Sequence, residues 1–254
     1  MQPEMRASAR PSSHLYTALA QAFQKPEAAS DQDEEDALIQ LLRRTALALN
    51  AQTLRPAVER LTDALEIDQC QAEHALRTLE IEYNRLFVGP GWPQAPPYES
   101  FYRDSWGALM GPSARHVERR YAEAGLALAP DHRDLPDHVA TELGFMGYLA
   151  MQEANTKGAE RQTWLERERT FVRDHLSVWL PCFCRRVQEA GQHAFYIALA
   201  ELTVTFVDLE TQRLLNQQIA DLESGQSVDV PVCQAVDAPV YQSTGSDPRG
   251  QLDT

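Results

Sequence analysis

The chain has 254 residues, a formal net charge of -14 and a sequence pI near 4.9, a balance that disfavours a nucleic-acid backbone as partner and favours attraction to a basic peptide. That length suits a single domain with enough interior for a real hydrophobic core. Cys70, Cys182, Cys184 and Cys233 make neither a paired framework nor a zinc-ligand pattern, so staples and metal are not expected and reduced thiols fit a cytoplasmic protein.

Residues 1–11 carry Arg6 and Arg10 but no apolar h-region, and no later stretch approaches a membrane-spanning run. A flexible N-terminus and no stable membrane insertion are therefore expected. A first helix is predicted over 12–23, with Leu15, Leu19 and Phe23 at spacing four and Ser13 as its cap. Residues 25–30 read as a linker. Asp31, Asp33, Glu34, Glu35 and Asp36 open a second helix, where acids oppose the positive end of the dipole. Its buried stripe is Leu38, Leu41, Leu42, Thr45 and Leu49, with Arg43 and Arg44 facing outward. Arg55-Pro56 marks a break, Pro56 fits the first turn of a short helix through Leu65, and Asp68 caps the helix after it.

Leu76, Leu79, Tyr83, Leu86 and Phe87 recur at threes and fours, so an amphipathic helix arrives at Phe87 with its apolar face on the core. Gly89, Pro90 and Gly91 stop it. The next segment places Trp92, Tyr98, Phe101, Tyr102 and Trp106 on a backbone partly fixed by Pro93, Pro96 and Pro97. Rigid rings on a stiff frame offer recognition area at low entropy cost; a long loop that folds its rings into the core has the same composition. Local pattern leaves both readings open.

Pro112 and Ser113 restart a charged helix through Ala124, ended by Gly125, and residues 129–136 read as a surface loop. Asp137 caps or begins the next helix, whose apolar face is Val139, Leu143, Met146 and Ala150. Asp137 and His138 invite acid–base or metal chemistry; an acidic cap followed by a solvent-facing histidine accounts for them as well. His138 and Glu142 stand one turn apart, within reach of a hydrogen bond. A metalloprotease pattern requires a second histidine, and no phosphate-cradling glycine loop is present. Without a coherent catalytic set the chain reads as a binding protein, the alternative being a small hydrolase or nucleotide-binding enzyme using Asp137 and His138.

The pattern from 160 to 173 is helical, with Trp164, Arg167 and Phe171 on neighbouring turns, and Trp179 and Pro181 begin another packed element. Trp164, Trp179 and Phe183 read as core filling. Gly191 separates that element from the longest helix, where Phe195, Leu199, Leu202, Phe206 and Leu209 form a stripe continuing toward Leu215. Residues 223–254, rich in Gly, Ser, Pro, Asp and Val, read as a flexible or loosely packed tail. With no internal repeat and no sustained alternation, the predicted fold is all-α, one helical-bundle domain over 12–222.

Three ordered motifs carry a family resemblance. The first is Tyr83, Arg85, Leu86, Phe87, Val88, Gly89, Pro90, then Pro96, Pro97, Tyr98, Ser100 and Tyr102; the second is Asp137, His138, Glu142, Leu143, Phe145 and Met146; the third is His175, Leu176, Trp179, Pro181 and Phe183. Together they resemble the TorD/DmsD-like cytoplasmic chaperones that mature molybdenum-containing respiratory oxidoreductases. The resemblance implies an all-α bundle of that type. It implies a chaperone that binds the twin-arginine signal peptide of a molybdopterin oxidoreductase precursor and delays export until cofactor insertion is complete, with no cofactor of its own. Carried over, the peptide-binding residues are Tyr83, Leu86, Phe87, Trp92, Tyr98, Tyr102, Asp137 and His138, on one recognition surface. The sequence departs from the family at Tyr98-Glu99, where many relatives have an aromatic-glycine pair. Relatives include monomers and domain-exchanged dimers, so a homodimer hinged near 127–136 is a further expectation.

Overall fold

A computed structural model of the chain describes residues 10–26, 44, 52–66, 72–89, 91–104, 109–130, 132 and 134–223. Among these the regular structure is helical, apart from one isolated antiparallel bridge between Tyr98 and His138, in keeping with a sequence that has no alternating patterns. The predicted linker beyond Pro26, the second helix apart from an exposed helical Arg44, the Asp68 cap, Trp106 and the tail beyond Glu223 lie outside the described residues.

Helix α1 (Pro11–Ala22) begins on Pro11, whose missing N–H is no loss at a first helical position. Ser13, predicted as its cap, lies inside the helix and is buried, and no side chain caps this terminus. Helix α2 (Arg55–Glu66) starts where Pro56 indicated. Helix α3 (Ala72–Tyr83) passes without interruption into a π-helical turn over Asn84–Val88, then come α4 (Glu99–Arg103), α5 (Pro112–Glu123) and α6 (Val139–Asn155). Helix α7 (Gly158–Phe171) runs through a second π turn, Val172–Leu176, into α8 (Ser177–Ala190), and α9 (Ala194–Glu223) comes last.

Two details differ from expectation. Trp179 and Pro181 do not begin an element; Pro181 sits inside α8. A proline there has no N–H to offer the preceding turn, and the backbone just upstream is already widened, with the Ser177 N–H reaching back to the Val172 carbonyl. The buried stripe of α9 ends on Leu214, while Leu215 is exposed.

Helix α1 lies against α6, and α9 spans α2, α8 and the end of α7. Gly147 permits the α1–α6 approach, since a Cβ there would stand 2.8 Å from Thr17 Oγ1 and 3.2 Å from the Ser13 carbonyl. Phe87 sits in the middle of the core with ring centroids of Tyr83, Tyr196, Phe183 and Phe23 at 5.0, 5.5, 6.0 and 6.3 Å. A second kind of fastening joins α1, α6, α7 and α9: buried Glu153 receives Arg10 and Arg161, while Arg213 lies between Glu168 and Glu210, and Ser12 donates to Glu210. In the predicted hinge stretch, Leu128 packs on the core and the Pro136 carbonyl accepts the Tyr121 hydroxyl at 2.8 Å.

Candidate functional site

The first motif builds a support before it presents anything outward. Leu86 and Phe87 are buried, and the Leu86 carbonyl accepts the Ala95 N–H at 2.8 Å, folding the loop back over the end of α3. Gly89 makes this turn at φ +70, where a Cβ would stand 3.1 Å from the Pro93 nitrogen, so both conformation and space call for glycine. Arg85 donates to Glu82 at 2.7 and 2.8 Å and to the Ala190 carbonyl at 2.6 Å. Glu82 also accepts the N–H groups of Gln192 and His193 at 2.6 and 3.2 Å, holding the start of α9. Burial alone would raise the Glu82 pKa, but the Arg85 bond and these two N–H groups outweigh it and lower it.

The first and second motifs meet in the Tyr98–His138 bridge. Glu99 N–H donates to the Asp137 carbonyl at 3.0 Å and Val139 N–H to the Pro97 carbonyl at 2.9 Å, with the Tyr98 and His138 rings edge to face at 5.3 Å. The Asp137 carboxylate accepts the Ser100 N–H at 2.8 Å from 37 positions away, so it holds the start of α4. The cap of α6 is His138, whose Nδ1 accepts the Ala140 N–H at 3.1 Å. Asp137 as cap of α6 and His138 as a solvent-facing side chain are thus both corrected: the two residues are 0% and 1% exposed. Burial keeps His138 neutral, its pKa pulled down to about 4, and pushes Asp137 upward.

The third motif joins from below. Glu142 does not pair with His138; its carboxyl receives the Trp179 indole N–H at 3.0 Å. Glu99 bonds His175 Nδ1 at 2.7 Å and receives Arg103. Glu99, Glu142 and His175 are all fully buried. Burial, then the nearby charge of Glu99, raise the Glu142 pKa well above the ordinary range, so the Glu142 carboxyl keeps its proton. Glu99, where the sequence departs from the aromatic-glycine pair of many relatives, is therefore an interior tie between motifs. The local signal for it is Arg103 one turn on, which cannot indicate His175.

A shorter set faces outward. Trp92 is 77% exposed, its ring 6.4 Å from the partly exposed Phe101. Tyr98 is half-buried, near exposed Asp134, and burial followed by Asp134 and Asp137 raises its hydroxyl pKa. Exposed Arg186 places its guanidinium 5.5 Å from the Phe101 ring centre. Tyr102 leans inward onto Trp179 and Phe183 at 5.6 and 6.2 Å. Of the eight residues expected to bind peptide, Tyr83, Leu86, Phe87, Asp137 and His138 are interior, Tyr102 is half-turned to the core, and Trp92 and Tyr98 reach the surface. Phe101, Asp134 and Arg186 are not among those eight; of the three only Phe101, one of the five crowded rings, carried a signal in the sequence.

Among the described residues no group of three or more His, Cys, Asp or Glu side chains is placed to hold a metal ion, and no helix is long and apolar enough to cross a membrane. Cys182 is exposed and Cys184 buried, both free.

A family model described as the nitrate reductase delta subunit matches residues 47–185. The chain is 28% identical over 170 residues to the chaperone protein TorD of Vibrio parahaemolyticus, covering 65% of this chain and 77% of that one. It is 30% identical over 170 residues to the chaperone protein TorD of Vibrio atlanticus, with the same coverage of each. A crystal structure of an Archaeoglobus fulgidus protein, described as a redox enzyme maturation protein, aligns at a TM-score of 0.46 and 20% identity over 80% of this chain and 98% of that one.

Proposed function

The chain belongs to the nitrate reductase delta subunit family, with TorD chaperones among its relatives, and we propose that it is a cytoplasmic maturation chaperone of the TorD/DmsD type. In this reading it binds the twin-arginine signal peptide of a molybdopterin oxidoreductase precursor and holds the precursor back until its cofactor is in place. The observation that supports it best is Trp92, a large ring left 77% exposed beside Phe101 on a loop pinned at the Leu86 carbonyl and at the Asp137 bridge. Such a ring is already ordered, so covering it with an apolar h-region gains contact area at little further entropy cost. Asp134 and the overall charge of -14 favour the arginines. The buried motif residues act in this reading as the support of the loop, not as the contact itself.

The test is calorimetric titration of the full chain with a twin-arginine leader. Trp92→Ala should weaken binding by about fivefold or more, the usual consequence of removing an aromatic anchor, with an unchanged melting curve. Replacing both leader arginines should weaken binding more at low salt than at high salt. Equal affinity of the wild type and Trp92→Ala for the leader would defeat the reading. No specific observation favours an enzyme built on Asp137 and His138, since both side chains are committed as caps.

A further inference from the structure

The exposed strip is bounded by opposite charges. At one end Asp134 is the leading charge acting on Tyr83, Tyr98 and His138. One turn along α4 from Tyr98, with the Phe101 N–H on the Tyr98 carbonyl at 3.2 Å, the Phe101 ring lies 6.4 Å from the Trp92 ring and 5.5 Å from the Arg186 guanidinium. Arg186 donates Nε–H to the Gln94 carbonyl at 3.0 Å, which fixes its direction without neutralising it. The other arginines near the loop are occupied: Arg103 by Glu99 and the Asp174 carbonyl, Arg85 by Glu82. Among the described residues Arg186 has no carboxylate partner, and neighbouring Arg185 has only the Cys182 sulfur at 3.8 Å.

We propose that a signal peptide lies across this strip in one direction only, its arginines toward Asp134, its h-region over Tyr98, Phe101 and Trp92, and the residue after the h-region at Arg186, which discriminates against a basic side chain there. The proposal rests on the peptide-binding reading above and adds its polarity and a specificity-determining residue. A leader lying the other way would bring its arginine pair against Arg186 and Arg185, a like-charge encounter that rejects the wrong orientation more effectively than apolar contacts, which have no direction. Basic n-region followed by apolar h-region is the fixed order of a signal peptide, so a strip running from acid through aromatics to base matches it in one sense only.

The experiment uses the full chain and two synthetic twin-arginine leaders, identical except for Asp or Lys immediately after the h-region, titrated by calorimetry at low and high salt. The wild type should prefer the Asp leader by about two- to fivefold at low salt, the scale of one solvent-exposed charge pair, and the preference should shrink as salt is added. Arg186→Glu should invert it while leaving the dependence on the leader's arginines intact. Asp134→Arg should abolish that dependence and keep the Asp-over-Lys preference. Both substituted residues are exposed, so melting curves should not move. The proposal is overturned if Arg186→Glu changes both leaders by the same factor, or if it alters the arginine dependence instead, which would mean the opposite orientation. Failure of both leaders to bind the wild type would defeat the peptide-binding reading itself, and so is distinct from binding without polarity.

Discussion

Glu168→Gln isolates one buried proton. Glu168 is 0% exposed; one carboxyl oxygen is 3.2 Å from Arg213, the other has no hydrogen-bond partner, and Arg213 stands closer, at 2.9 Å, to Glu210. Burial pushes the Glu168 pKa up to about 7, with Arg213 and Arg10 opposing and Glu153 and Glu210 adding to the rise. The folded chain therefore keeps a proton that the unfolded chain releases near the ordinary 4.5. With the proton held in the folded state, this group's contribution is fully present below pH 4.5, falls as pH rises toward 7, and is then lost. A rise from 4.5 to about 7 is worth roughly 3 kcal/mol over that window. Glutamine keeps the shape and an acceptor for Arg213 but has no such proton. Urea unfolding of both chains between pH 4.5 and 8.5 should show the variant gaining on the wild type by up to about 3 kcal/mol as pH rises, levelling off above 7. A difference that does not vary with pH would refute the reasoning. So would a wild type that gains on the variant, since that is the sign of a carboxylate held charged by Arg213 and Arg10.

Glu142→Gln should likewise reduce the loss of stability at alkaline pH, because an amide can still accept the Trp179 N–H and has no buried proton to lose; equal pH slopes for the two chains in unfolding would count against a proton held by Glu142. Phe87→Ala should cost about 3–5 kcal/mol in denaturant unfolding, against no more than about 0.5 kcal/mol for exposed Trp92→Ala, and similar losses would contradict their opposite burial. Gly89→Ala, at φ +70 and with its new Cβ 3.1 Å from the Pro93 nitrogen, should cost about 1–3 kcal/mol, and a neutral melting shift would show that the loop can turn another way.

The helices were legible where their cause is local. Phe87 at the end of a three-and-four pattern, Pro56 and Pro112 in first turns, Gly89 and Gly125 at positive φ, and the Phe195–Phe206 stripe all stand where spacing and backbone chemistry put them. The π turns over Asn84–Val88 and Val172–Leu176 were not legible, since an inserted residue leaves the apolar pattern continuous while rotating the turns beyond it. His138 looked like a solvent residue because its cover, Tyr98, comes from a segment separated by the whole of α5. Ser13 failed as a cap for a nearer reason: Pro11 already begins the helix two residues earlier.

The placement of the motifs bears on what a family likeness can say of this chain. Tyr83, Leu86, Phe87, Asp137, His138, Glu142, His175 and Trp179 are buried together and tie four helices and a bridge into one frame. Substituting any of them disturbs packing or a buried hydrogen bond, with costs set by cavity and desolvation, whatever is bound outside. Trp92, Phe101, Asp134 and Arg186 stand at the surface and take little part in that frame, so they can vary in size and charge without loss of fold. In the reading proposed above, choice of partner therefore falls to residues that the motifs mostly leave out. Of these four only Trp92 belongs to the recognition set implied by the resemblance, and in the proposed reading the charges at positions 134 and 186 and the ring at 101 of this chain meet the leader, held in register by the bonds that the motifs supply.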